Sequence, residues 1–216
     1  MLLELQEEKG NKITLLLDGE VYCRCYRKDL RSIGIAEGEE IDETVLDRFI
    51  REVLLPRAKR RSLFLLNKKR YTAQEMRKKL TADGYPKEIV EETLLYLKEL
   101  RYIEDVSYAQ GYALFLLPQC SEREIYQKML QRGFEKELVT AAIKEAQREY
   151  SLENGSDEAE SEPPELSAIR TYLRKKGYQP EQATQEKKKK VMAALYRRGF
   201  SLSDIRRVIG ETEEME

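Results

Sequence analysis

Residues 72–85 read Thr-Ala-Gln-Glu-Met-Arg-Lys-Lys-Leu-Thr-Ala-Asp-Gly-Tyr, and residues 121–134 read Ser-Glu-Arg-Glu-Ile-Tyr-Gln-Lys-Met-Leu-Gln-Arg-Gly-Phe. Each run opens with a hydroxyl residue followed three positions later by a glutamate. This is the capping-box pattern, in which the hydroxyl takes a free backbone N–H and the glutamate reaches back to the cap, so each marks a helix start. Each run closes on a glycine followed by an aromatic: Gly84-Tyr85 and Gly133-Phe134. Both glycines lie 12 residues past the hydroxyl, and the two runs are offset by 49. Glycine suits the left-handed position just past a helix, where any Cβ would clash, and the aromatic then seals the corner to the next helix.

Working outward, the repeat deepens. Leu63-Phe-Leu-Leu66 returns as Leu114-Phe-Leu-Leu117. Apolar pairs before the glycine are Met76 with Ile125 and Leu80 with Met129. After it come Ile89-Val90 with Leu138-Val139, and Leu94 with Ile143. This spacing lays an apolar stripe along each helix. A third copy surrounds Gly199-Phe200, with Val191, Leu195, Ile205 and Ile209 in register and Ser201-Leu-Ser-Asp204 able to cap the last helix. Its middle helix begins differently, because Lys187 stands where the others carry a cap. Its first helix is expected at about 166–176, ending at Gly177. Each unit is helix, turn, helix, glycine corner, helix, with a period near 50 residues. Units of that size cannot each bury a large core, so they are expected to stack.

Ahead of the repeats the pattern is strand-like. Ile13–Leu17 and Glu20–Tyr26 flank Asp18-Gly19, a strong hairpin signal because both turn residues must take positive φ. Residues 28–34 read as a helical turn, and Gly38–Ile41 as a short third strand. Two or three strands make a poor core alone, so this piece is expected to pack on the helical part of the chain. From Asp42, a candidate cap, Val45, Phe49 and Val53 give a helical period, with Pro56 placed to interrupt or kink it. The expected organisation is a hairpin region at 1–41, a lead-in helix with the first repeat at 42–102, the second repeat at 103–150, an acidic linker at 151–165, the third repeat at 166–210 and an acidic tail at 211–216. The linker has six acids and two prolines, a composition that cannot repay ordering by burial.

The chain has 216 residues with 39 basic and 40 acidic side chains, and its charge is strongly segregated. Residues 166–210 carry 12 basic and 3 acidic groups, while 151–165 carry none and 6. The sequence contains no histidine, which removes the usual general base and the commonest metal ligand. The cysteines are Cys23, Cys25 and Cys120, too few for a disulfide scaffold and without enough soft ligands nearby for zinc. No phosphate loop, dinucleotide fingerprint or zinc-protease motif is present. Glu104-Asp105 is a weak dyad, since adjacent helical residues face different ways, and Asp105 reads better as a helix cap. No catalysis, metal or cofactor is therefore expected. No apolar run approaches the length of a membrane span, and the N-terminus carries acids where a signal peptide needs base, so a reduced cytoplasmic protein is expected.

The basic clusters are the candidate binding surface. In and before the first repeat these are Arg60, Arg61, Lys68, Lys69, Arg70, Arg77 and Lys78. In the third they are Lys175, Lys176, Lys187, Lys188, Arg197, Arg198, Arg206 and Arg207. Some sit at helix C-termini, where they offset the helix dipole, but that does not account for the excess in 166–210. Such a patch fits phosphates or an acidic protein surface.

Leu100-Arg-Tyr-Ile-Glu-Asp105 followed by Tyr108-Ala109, the Gly84-Tyr85 and Gly133-Phe134 corners, and Tyr196-Arg-Arg-Gly-Phe-Ser201 with Ile205 resemble, in that order over residues 57–210, the RecX family of regulators of the bacterial recombinase RecA. The hairpin looks like the N-terminal extension of some members. The resemblance implies a mainly α fold of tandem three-helix repeats in an elongated curved array, with a small N-terminal α+β hairpin extension. It implies binding along the RecA–DNA filament groove and dampening of recombinase activity without catalysis of its own; a monomer is expected. The acidic 151–165 insertion departs from the common pattern. Two other classes stay open: a helical protein that holds single- or double-stranded DNA directly through its basic patches, and an enzyme using carboxylates or lysine.

Overall fold

The structure is a computed structural model describing residues 1–8, 10–154, 163–178 and 183–210. It divides into two compact units, Met1–Glu104 and Asp105–Glu216.

The first unit opens with strands β1 (Leu3–Glu7), β2 (Lys12–Leu17) and β3 (Glu20–Tyr26), paired antiparallel in that order. Asp18 and Gly19 form the two-residue turn between β2 and β3, at φ 51° and 80°, as the Asp-Gly signal requires. Side chains alternate along β3: Cys23 and Cys25 are buried, Arg24 is exposed. The third strand is β1, and this corrects the expectation of a strand at Gly38–Ile41. That segment instead runs beside the start of β1, where Leu2 and Glu40 form one isolated bridge and Leu3 N–H donates to the Glu39 carbonyl at 3.1 Å.

A short helix, α1 (Arg27–Arg31), precedes α2 (Glu43–Phe49), whose cap Asp42 accepts the Val45 N–H at 2.8 Å. Pro56 neither ends nor breaks the helical path beyond α2. A π-helical stretch, Ile50–Leu54, leads straight into α3 (Leu55–Leu66), and the Leu55 N–H reaches the Ile50 carbonyl. The proline lacks the N–H that would bond Glu52 in an ordinary turn, and widening the turn one residue before it accommodates that loss. Helices α4 (Ala73–Ala82) and α5 (Lys87–Glu99) complete the first repeat. The buried face of the sheet (Leu3, Ile13, Leu15, Cys23, Cys25) belongs to the same core as Phe49, Leu54, Ala58, Met76 and Leu80. The hairpin thus packs on the first repeat and does not stand alone.

The second unit holds α6 (Asp105–Leu116), α7 (Glu122–Gln131), α8 (Lys136–Asn154), α9 (Pro164–Lys175), α10 (Gln185–Arg198) and α11 (Leu202–Ile209). Asp105 is the first residue of α6, where a carboxylate favours the helix N-terminus. Its core falls into two clusters, one around Ile125, Met129 and Ile143 and one around Ile169, Leu195 and Ile205. Helix α8 continues to Asn154, four residues into the segment read as linker. Residues 155–162 of that segment and the 211–216 tail lie outside the described residues. Pro164 occupies the first turn of α9, where its fixed φ is already helical and its missing donor is not needed.

The glycine corners hold in all three repeats. Gly84, Gly133 and Gly199 have φ of 88°, 85° and 100°, and Tyr85, Phe134 and Phe200 beside them are buried. The third repeat's middle helix is capped by Thr184, which accepts the Lys187 N–H at 3.3 Å. That gives α10 14 residues where α4 and α7 have 10, one extra turn that carries the lysine run.

Candidate functional site

The two capping boxes do not behave alike. Thr72 closes the full reciprocal box: its hydroxyl accepts the Glu75 N–H and the Glu75 carboxylate accepts the Thr72 N–H, both at 3.0 Å. Ser121 accepts the Glu124 N–H at 3.2 Å, but its own O–H donates to the Arg198 carbonyl. The Glu124 carboxylate does not close the box; it is taken by the Arg198 guanidinium. This corrects the reading of a closed box at 121–124. The start of α7 is a docking point for the end of α10, and Arg198 also lies over the Tyr172 ring, 4.7 Å from its centroid.

That contact sorts the candidate cations. Arg61, Arg77 and Arg198 are committed internally. Arg61 pairs with Asp83 at 2.7 Å. Arg77 grips both oxygens of Glu91, at 2.6 and 2.8 Å, and reaches Gln74 at 2.7 Å. These guanidiniums fasten one element to another; Arg77 and Arg198 each give two N–H groups to one carboxylate and present little charge to a partner, whereas Arg61 gives only its Nε–H to Asp83. Hydrogen bonding to Arg77 holds the Glu91 carboxyl below its ordinary range.

The other candidates lie toward solvent. Arg60, Lys68, Lys69, Arg70 and Lys78 are exposed on or beside α3 and α4. Lys68 and Lys69 fold their ammonium groups over Phe64 and Tyr71, at 4.3 and 4.5 Å from the ring centroids. In the second unit Lys175, Lys176, Lys187, Arg197, Arg206 and Arg207 are exposed and Lys188 is half-buried. Lys175, Arg197, Arg206 and Arg207 stand in the last turns of their helices, where the dipole accounts for them. Lys187 to Lys190 do not fit that account, because they crowd the N-terminal half of α10, the positive end of its dipole. Glu186 pairs with Lys190 at 2.5 Å. Lys187 lies 5.9 Å from the Tyr178 ring centroid, yet one carboxylate pair does not offset four cations placed against the dipole, and the run is suited to an external anion.

Sequence reasoning treats Leu63-Phe-Leu-Leu66 and Leu114-Phe-Leu-Leu117 as one repeated feature. The structure buries Leu65 and Leu116 but leaves Phe64 and Phe115 53% and 63% exposed. The signal was available: Ala58, Ser62 and Leu65 form the i, i+4, i+7 stripe of α3, and position 64 falls off it. Phe64 sits one turn from Arg60 and one from Lys68, so an aromatic face lies between two cations.

Among the described residues no group of histidine, cysteine or carboxylate side chains could hold a metal, and no helix is long and apolar enough to cross a membrane. Cys23 and Cys25 are buried, and the Cys23 thiol is held well above its ordinary pKa by its hydrogen bond with Cys25 and by burial.

Two segments match known domains. Residues 58–97 match the first three-helix domain of RecX, and residues 164–209 match its third. The regulatory protein RecX of Caldanaerobacter subterraneus subsp. tengcongensis is 26% identical over 209 residues, covering 96% of this chain and 97% of the relative. That of Clostridioides difficile is 21% identical over 213 residues, covering 97% and 93%. Among solved structures, a regulatory protein RecX superposes with a TM-score of 0.55 at 22% identity, covering 97% of each chain. RecX from Lactobacillus salivarius gives 0.52 at 16% identity, covering 74% of this chain and 97% of the other. These two likenesses concern the fold.

Proposed function

We propose, from the premise that this chain belongs to the RecX family of regulatory proteins, that it binds the filament of a RecA recombinase on DNA and lowers its ATPase and strand-exchange activity without catalysis of its own. The observation that carries the reading is the exposed cation surface of the third repeat, above all the lysine run set against the α10 dipole. An ordered filament offers the repeating anionic partner that such a surface fits. The cytosol is the compartment where that partner is met, and a monomer is the working state.

The test is RecA ATPase on single-stranded DNA with and without the protein, together with filament binding at two salt concentrations. Lys175, Lys176, Lys187 and Arg197 are reversed to glutamate together, leaving Arg198 in place to hold Glu124. Binding should weaken, with most of the loss in association rate, while circular dichroism stays that of the wild type. Wild-type binding in the folded variant would move the contact to the Arg60, Lys68–Arg70 and Lys78 surface. No binding and no ATPase change in the wild type at several-fold excess would end the reading.

A second reading rests on the exposed Phe64 ring near Arg60 and Lys68: a base that takes the place of the Lys68 ammonium over the ring would stack there, with its phosphates on the cations. Direct DNA binding of this kind needs no RecA and weakens steeply with salt.

A further inference from the structure

The geometry points to a phosphate-binding cleft between the N-terminal sheet and the first repeat, lined by Lys12, Arg24, Arg57 and Arg61 together with Tyr85. It does not rest on the filament reading.

The cleft is a cavity of about 230 Å³ within the first unit, open to solvent and lined also by Tyr26, Cys25 and Asp83. That is too small for a drug-sized ligand and suits one phosphate group with a short attachment. Each of its arginines already has a partner within the protein. Arg24 gives its Nε–H to Glu8 at 2.8 Å and an Nη1–H to the Ala82 carbonyl at 3.3 Å. Arg57 pairs with Asp29 and stacks over the Tyr26 ring, 4.6 Å from its centroid. Arg61 gives its Nε–H to Asp83. A guanidinium has five N–H donors, so each keeps donors beyond these bonds while its orientation is fixed. Fixed guanidiniums with spare N–H edges are the arrangement that grips oxyanions, because no reordering is needed when the anion arrives.

The charges leave room for one anion. Lys12, Arg24, Arg57 and Arg61 face Glu8, Asp29 and Asp83, and Lys12 has no ion pair among the described residues. The surplus is a single positive charge, which matches a phosphodiester or a singly ionised phosphate.

Tyr85 supplies independent support. The same corner position holds Phe134 and Phe200 in the other two repeats, so packing asks only for the ring. The hydroxyl is additional, and it occurs at the one corner that faces this cleft. Burial holds that phenol above its ordinary pKa against the pull of Arg57 and Arg61, so it remains an O–H donor. Lys12, Arg24, Tyr26 and Cys25 come from the sheet, Arg57, Arg61, Asp83 and Tyr85 from the helical part, so the site exists only because the sheet docks on the first repeat.

The phosphate can be free or part of a nucleic-acid backbone, and the experiment separates the two. The full-length protein is titrated with sodium phosphate and, separately, with a labelled thymidine oligonucleotide, at constant ionic strength, with thermal unfolding and anisotropy as readouts. Lys12→Gln and Tyr85→Phe are the variants, because Lys12 is exposed and phenylalanine already serves at the equivalent corners. Phosphate should raise the unfolding temperature saturably, and its apparent Kd should rise roughly tenfold in Lys12→Gln and several-fold in Tyr85→Phe, the scale of one lost charge-assisted hydrogen bond. If oligonucleotide binding weakens by the same factors and phosphate competes with it, the source is the nucleic-acid backbone. If oligonucleotide binding ignores both variants while phosphate binding is lost, the ligand is a free phosphate. Equal stabilisation by chloride at the same ionic strength, or unchanged phosphate affinity in both folded variants, overturns the proposal.

Discussion

The carboxylate of Glu124 accepts two N–H groups from the guanidinium of Arg198, at 2.9 and 3.0 Å, across 74 residues of sequence. The two side chains are 23% and 33% exposed. This two-point pair, with the Ser121 O–H on the Arg198 carbonyl, joins the second repeat to the third. A bidentate, half-sheltered pair is worth more than an open surface ion pair, whose median is about 0–1 kcal/mol. A double-mutant cycle with Glu124→Gln and Arg198→Met, read by urea denaturation, should give a coupling of roughly 1–2 kcal/mol. Additive single effects would show that the pair contributes nothing.

Two glycines with positive φ should respond differently to alanine. At Gly84 (φ 88°) a Cβ would lie 2.5 Å from Arg24 Cγ, whose backbone N–H is tied to the Gly84 carbonyl at 2.9 Å. At Gly177 (φ 59°) nothing lies within 4 Å. Gly177→Ala should cost about 1 kcal/mol, the backbone term alone. Gly84→Ala should cost clearly more, because the strand must also move off the corner. Equal losses in chemical denaturation would show that the contact between β3 and the corner is slack.

Thr93 is wholly buried in α5, and its hydroxyl has no hydrogen-bond partner among the described residues. An unpaired buried hydroxyl carries its desolvation cost with no return. Thr93→Val keeps the shape and removes that group. It should raise stability by about 1 kcal/mol, read as a higher denaturation midpoint at unchanged slope. A loss of stability would mean that the hydroxyl has a water partner.

Tyr22 on β3 is held un-ionised to about 12, first by burial and then by Cys23 and Glu88. A phenol ordinarily ionises near 10. The folded state therefore binds this proton more tightly than the unfolded chain, so its stabilising contribution is complete below about pH 10 and declines as pH rises toward 12. Melting temperatures measured between pH 9 and 12 should fall more steeply for the wild type than for Tyr22→Phe. Parallel curves would assign the alkaline loss to other groups.

Some of this architecture is local and therefore visible in the sequence. A helix start needs a hydroxyl within three residues of the N–H it caps, and a left-handed corner needs a residue without a Cβ. Thr72, Ser121, Gly84, Gly133 and Gly199 could be read from short spacings alone. The Asp18-Gly19 turn belongs to the same class, as does the apolar stripe that Met76, Leu80, Ile125 and Met129 continue into the folded core.

Tertiary structure decided what those spacings cannot encode. The third strand came from Leu3–Glu7, because a strand is completed by whichever segment reaches the free edge of β2, and Gly38–Ile41 stops at a single bridge. Pro56 passed through a widened turn because α2 and α3 are both held on the core around it. Among the basic residues, sequence supplied the charges and the fold chose their partners. Arg61, Arg77 and Arg198 met carboxylates 22, 14 and 74 positions away and became fastenings. Lys175, Lys176 and Lys187 remained at the surface. A long cationic side chain reaches any carboxylate the fold brings within a few ångströms. Whether it fastens the structure or faces a partner is therefore set by non-local packing, which no local pattern records.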